Sequence, residues 1–133
     1  MTQTINNLEQ LIRSMQPVLH DGVYCFATLA DGRQPALADM VASIREAEGL
    51  SVIVAESVAE REGLPVAMRC AWITLNVYSD LAAVGLTAAF ARALGDAGIS
   101  CNVVAGTQHD HIFVPCEQAE AALAALQTLQ QSA

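Results

Sequence analysis

The chain has 133 residues, of which 53% are hydrophobic and 15% charged, and fourteen acidic against six basic side chains give a net charge of −8. Every base is Arg and no Lys occurs, so no basic stripe exists for a phosphate backbone or an anionic lipid surface, and nucleic acid and membrane are excluded as partners. So apolar and weakly charged a chain is expected to form one core-rich unit and to self-associate, as a homodimer or a higher homo-oligomer.

In chain order, Asn6 and Glu9 resemble a capping box. Leu8, Leu11, Ile12 and Met15 then recur at helical spacing until Pro17 stops the pattern. Val23 to Leu29 is rich in strand formers and ends at Asp31-Gly32. Met40, Ala42 and Ile44 alternate with Asp39, Val41 and Ser43, and Leu50 to Ala55 follows the Glu48-Gly49 turn. A short helical segment, Ser57 to Glu62, closes at Gly63.

The second half is more regular. Ile73, Leu75 and Val77 alternate with Thr74 and Asn76, as a strand with one buried face requires. Leu86, Phe90, Ala93, Leu94 and Ala97 predict a helix stopped by Gly98. Ile99 to Ala105 and His109 to Val114 predict a hairpin over Gly106-Thr107-Gln108, and Ala119, Leu123, Leu126 and Leu129 a last helix. A sheet covered by helices on one face, an α+β class, accommodates these runs. One echo joins the halves: Leu50 to Ala55 precedes Ser57-x5-Gly63-Leu64, and Ile73 to Val77 precedes Ser79-x5-Gly85-Leu86. It is either a duplicated unit or an accident of common turn chemistry.

Two runs carry candidate chemistry. Ser79, Asp80, Val84, Gly85, Leu86 and Thr87 lie between a strand end and a helix start, where unpaired backbone N–H groups and the positive end of the helix dipole suit a carboxylate. Gly85 lets a ligand approach the backbone; the plain alternative is that Ser79 or Asp80 caps the helix and Gly85 allows close packing. In His109-Asp110-His111, a strand places both imidazoles on one face and Asp110 on the other. They read as ligand contacts or polar surface rather than as a metal site, because zinc needs more ligands and His20 is expected in a distant loop. No metal and no cofactor is expected. Asn102 is unusual for a strand and reaches either a neighbouring loop or solvent.

Cys25, Cys70, Cys101 and Cys116 lie at no metal-knuckle or redox spacing and read as reduced thiols. No nucleophile elbow, P-loop, HExxH or G-x-G-x-x-G occurs, so no enzyme is expected. The opening MTQTINNLEQ does not read as a signal peptide and no apolar run reaches membrane-spanning length, so a cytoplasmic protein is expected.

Ser79-Asp80-Leu81-x-x-Val84-Gly85-Leu86-Thr87, Gly98-Ile99-Ser100-x-Asn102-Val103-Val104 and Gly106-x-x-His109-Asp110-His111-Ile112-Phe113-Val114 together resemble the ACT domain. The resemblance extends to small, stand-alone bacterial proteins with two ACT-like halves. It implies ferredoxin-like βαββαβ sheets with helices on one face, residues 1–66 and 67–133 forming the halves. It also implies an amino acid or similar small metabolite held where two units meet, against Ser79 to Thr87, with Asn102 contributing. As no strand follows the last helix, the first half must lend a strand to complete each sheet. The expected function is a non-catalytic regulator or sensor. The alternatives are a metal protein or enzyme centred on His109 and His111, and a ligand-free interaction module.

Overall fold

The computed structural model describes residues 7–30, 32–33, 35–77 and 84–133. The Asn7 side chain caps α1 (Leu8–Ser14), accepting the Gln10 N–H at 3.0 Å. There follow β1 (Gln16–Leu19), β2 (Tyr24–Leu29), a single 3-10 turn at Leu37–Asp39, β3 (Ala42–Glu46), β4 (Gly49–Ala55), α2 (Glu56–Glu62) and β5 (Val66–Asn76). The chain continues through α3 (Leu86–Asp96), β6 (Asn102–Ala105), β7 (Asp110–Pro115) and α4 (Ala119–Ser132).

Among the described residues all seven strands join one antiparallel sheet in the order β3-β4-β2-β5-β7-β6, with β1 also on β5. The axis is β5. Its first residues pair with β2, Ile73 to Asn76 pair with β1 on the same flank, and Cys70 to Leu75 pair with β7 on the other. One four-stranded sheet therefore runs β3-β4-β2-β5 and a second runs β1-β5-β7-β6, and β5 belongs to both. The second half is β5-α3-β6-β7-α4, and its missing last strand is β1, from the start of the chain. This is the expected ferredoxin-like arrangement, but the lending is mutual: the first half supplies β1 to the second sheet, as expected, whereas the first sheet is completed by β5, almost all of which lies in the second half.

One face of the sheet carries the helices. Ala71, Ile73 and Leu75 of β5 and Ile112 and Val114 of β7 pack under Leu11 of α1, Phe90 and Leu94 of α3 and Leu126 of α4. On the same face Cys25, Ala27, Val52 and Val54 pack under Ala59 of α2. The opposite face has no helix among the described residues, yet Cys70, Phe113 and Ile53 are 0%, 1% and 5% exposed there. The sheet itself curls over them. Although β3 and β6 end opposite sides of the strand order, Val41, Ala42, Val104 and Phe113 line one small cavity.

Two sequence expectations are corrected. The strand expected from Ile73 begins at Val66, and Gln16–Leu19 forms an unforeseen strand directly after the first helix. Pro17, read as a helix stop, is tolerated in β1 because the strand pairs on one side only, with β5, and needs no ladder N–H on the other.

Candidate functional site

At the start of α3, Gly85 is the N-cap, with φ +106 in the left-handed region where glycine is the ordinary occupant. Having no side chain, it satisfies none of the first-turn N–H groups, and those of Leu86, Thr87 and Ala88 have no intrahelical acceptor. Val84 is 85% exposed, Thr87 is exposed and Leu86 is buried in the core, so Leu86 can contribute only its backbone. Ser79 and Asp80 lie outside the described residues. The missing Cβ of Gly85 has a second use: one built there would stand 3.0 Å from Leu8 Cδ2 of α1. Close packing and backbone exposure thus coincide at this glycine.

His111 is elsewhere, on the face that carries no helix among the described residues. His111 lies on β7 opposite Thr74 of β5, and Asp110 points to the other side, as the strand period requires. Trp72 Nε1–H donates to His111 Nδ1 at 3.0 Å, and Thr74 Oγ1 lies 3.0 Å from the same nitrogen. His20 is not distant, as the sequence reading had it. The β1–β5 pairing carries it onto this face, where Nε2 lies 2.7 Å from Thr74 Oγ1 and its ring stacks on Trp72 at 3.7 Å between centroids. No sequence signal announces this contact, because it spans 54 residues and depends on a strand that a proline conceals. Among the described residues no group of three or more His, Cys, Asp and Glu is placed to hold a metal ion.

Asn102 stands apart from both groups. Its side chain donates to the Phe113 carbonyl at 3.3 Å, across to β7. It also lines a groove of about 340 Å³ with Phe26, Ala42, Ile44 and Ser51, between the β3 and β6 edges of the curled sheet. The residues proposed from sequence therefore fall into three places: the α3 start, the histidine cluster, and this groove.

Models of the ACT domain match residues 3–71 and again residues 68–128. The chain belongs to the ACT domain family. The two matched ACT segments overlap within β5, the strand common to both sheets. Among solved structures, a protein of unknown function from Vibrio cholerae, described as a possible transport protein, is 45% identical; the match covers 93% of this chain and 96% of that one, with a TM-score of 0.79. The regulatory subunit of aspartate kinase from Thermus thermophilus, in a ligand-free form, is 15% identical over 87% of this chain and 96% of its own, with a TM-score of 0.63. Aspartokinase III from E. coli, in complex with aspartate and ADP, is 11% identical over 85% of this chain and 32% of its own, with a TM-score of 0.60. These two distant likenesses are likenesses of fold. No curated protein matches the chain. No helix among the described residues of this ACT protein is long and apolar enough to cross a membrane.

The histidine cluster predicts an acid response. Burial is the main cause that holds both His20 and His111 below the ordinary histidine value of 6.5; Asp21 opposes it at His20, while at His111 the imidazoles of His109 and His20 add to it and Asp110 opposes it. Below that value the unfolded chain takes up protons that the folded chain refuses, so stability should be level at higher pH and fall as pH drops below 6.5. Burial raises the Asp110 carboxyl, which offsets part of the loss only at more acid pH. Urea midpoints at pH 8, 7, 6 and 5 should therefore be flat and then decline. A His20→Phe/His111→Asn protein should lose less between pH 7 and 5, and an equal loss in both proteins would count against this account.

Proposed function

We propose that the protein is a non-catalytic, cytoplasmic regulator that binds an amino acid or similar small metabolite between ACT units of neighbouring copies, in a homodimer or larger assembly. The division falls near residue 66, with residues 1–66 and 67–133 as its halves. Membership in a family whose domains are regulatory and non-catalytic supports this reading. The observation that carries it is the start of α3, where an exposed segment meets backbone N–H groups with no intrahelical acceptor. The ligand carboxylate meets the N–H groups around Val84, Gly85 and Leu86, and Ser79, Asp80 and Thr87 surround it. Asn102, His109 and His111, which lie apart from this helix start within one chain, contribute from the neighbouring copy.

Replacing Gly85 does not test this cleanly, since any side chain at φ +106 is strained and meets Leu8. Thr87→Glu is a sharper probe. A carboxylate in the first turn favours the helix itself by about 0.3–1 kcal/mol, but repels an incoming carboxylate. A thermal-shift screen of the free amino acids, followed by calorimetric titration with the best responder, should show affinity reduced at least about tenfold in Thr87→Glu, ~1.4 kcal/mol, with no loss of melting temperature. No responder among the amino acids, or unchanged affinity in this variant, would overturn the proposal.

A further inference from the structure

The cluster on the helix-free face has a donor–acceptor order that its geometry dictates. Indole nitrogen only donates, so Trp72 Nε1–H at 3.0 Å requires a bare lone pair on His111 Nδ1 and places the proton of that neutral ring on Nε2. Thr74 Oγ1 touches the same Nδ1 at 3.0 Å and His20 Nε2 at 2.7 Å. One assignment makes all three contacts hydrogen bonds: His20 Nε2–H donates to Thr74 Oγ1, the Thr74 hydroxyl donates to His111 Nδ1, and the Trp72 indole donates to that same nitrogen. His111 Nδ1 is then the acceptor on which two donors converge. Thr74 is only 7% exposed, and the Trp72 ring is braced by His20 stacked at 3.7 Å and by Tyr24 edge-on at 5.2 Å.

We infer that His111 Nδ1 is a proton-sensing position whose protonation expels the Trp72 indole N–H and reverses the direction of the Thr74–His111 hydrogen bond. An added proton on Nδ1 turns the acceptor into a donor. It can still bond Thr74 Oγ1 once the Thr74 hydroxyl proton turns away from His111, because that oxygen has two lone pairs and can accept from His20 Nε2–H and His111 Nδ1–H together. Against Trp72 it sets donor against donor, and that bond is lost. A proton added to His20 at Nδ1 breaks none of the three bonds and leaves an imidazolium on the indole face, a favourable cation–π arrangement. The response is therefore specific to His111.

The groups that face the pair from each packed element set the poise. Asp21, beside His20, and Asp110, beside His111, favour the charged rings; His109 opposes charge on His111, and burial opposes it on both. From β2, Tyr24 hydrogen-bonds the Asp21 carbonyl through its hydroxyl. The place matters as much as the chemistry. His20 follows β1, and Trp72 and Thr74 lie where β5 passes from the first sheet to the second, so the reversal acts on the junction of the two halves.

The protein has one tryptophan, so one indole N–H resonance and one fluorophore report the event. In the full-length chain, the indole resonance and the emission should move in a single step between pH 8 and pH 5, with a midpoint below 6.5 that matches the His111 ring resonances, while far-UV circular dichroism stays constant. His111→Asn keeps an acceptor at Oδ1 and cannot be protonated, so it should hold the indole at its high-pH position throughout. His20→Phe keeps the stack and should retain the step. A flat indole signal in the wild type, a step that persists in His111→Asn, or a step that coincides with loss of the circular dichroism signal would each overturn the inference.

Discussion

Phe90→Ala should lower the unfolding free energy by about 3–5 kcal/mol, the range for removing a fully buried aromatic side chain and leaving part of its volume empty. Phe90 is 0% exposed, halfway along α3, in the core that joins α1, α3 and α4 to β5 and β7. Helix α3 holds its place only through that face, since Leu86, Phe90 and Leu94 are its buried residues. Against a total of about 5–15 kcal/mol for a domain, the loss would leave a marginal protein. Urea unfolding should show a much lower midpoint at an unchanged slope. Val84→Ala, at an 85% exposed position, should stay within about 0.5 kcal/mol. A Phe90→Ala cost below about 1 kcal/mol would show that the neighbouring helices close the gap.

Gly49→Ala should be the other severe change. Gly49 opens β4 at φ +144, and a Cβ there would stand 2.7 Å from the Leu29 carbonyl oxygen, a backbone atom that cannot step aside alone. The left-handed conformation costs about 1–3 kcal/mol for a side-chain-bearing residue, and the collision adds a cost of the overpacking kind, about 1–3 kcal/mol. Gly22→Ala separates the two, since Gly22 has φ +94 with nothing within 4 Å of its Cβ. Chemical denaturation should place Gly49→Ala below Gly22→Ala by on the order of 1 kcal/mol or more. Equal losses would mean that the backbone at Leu29 yields.

The elements that one-sided burial writes into the sequence were legible. Leu86, Phe90 and Leu94 recur at helical spacing on the one buried face of α3. β5 was legible only in its second part. Val66, Ala67 and Arg69 are exposed and Met68 half-buried, so its first part buries too little to show a period, whereas Ile73 and Leu75 alternate in polarity with Thr74 and Asn76. The 22-residue echo left a duplicated unit and an accident of turn chemistry both open. It aligns β4 and α2 with β5 and α3, whereas the topology makes β2 the counterpart of β5, and β4 of β7. Similar turns recur because strands must end, and the echo does not follow the correspondence of the two sheets. At the candidate sites, the sequence placed His111 and Asp110 on opposite faces correctly. His20 was beyond its reach, because contact across 54 residues is a property of the pairing register and not of any local pattern.

The position of β1 sets an order of events during synthesis. Gln16 to Leu19 emerge from the ribosome early, but their pairing partners are Ile73 to Asn76, and at roughly 5–20 residues per second these follow only after an interval of seconds. Until then β1 has no sheet to join. The first half can assemble as soon as β5 appears, while the segment that begins the chain must wait to seal the half that ends it. The nascent chain therefore closes as a loop, its opening strand locked in only when the later half arrives, and a polypeptide that began after Leu19 would present the bare flank of β5 to any other strand that could pair with it.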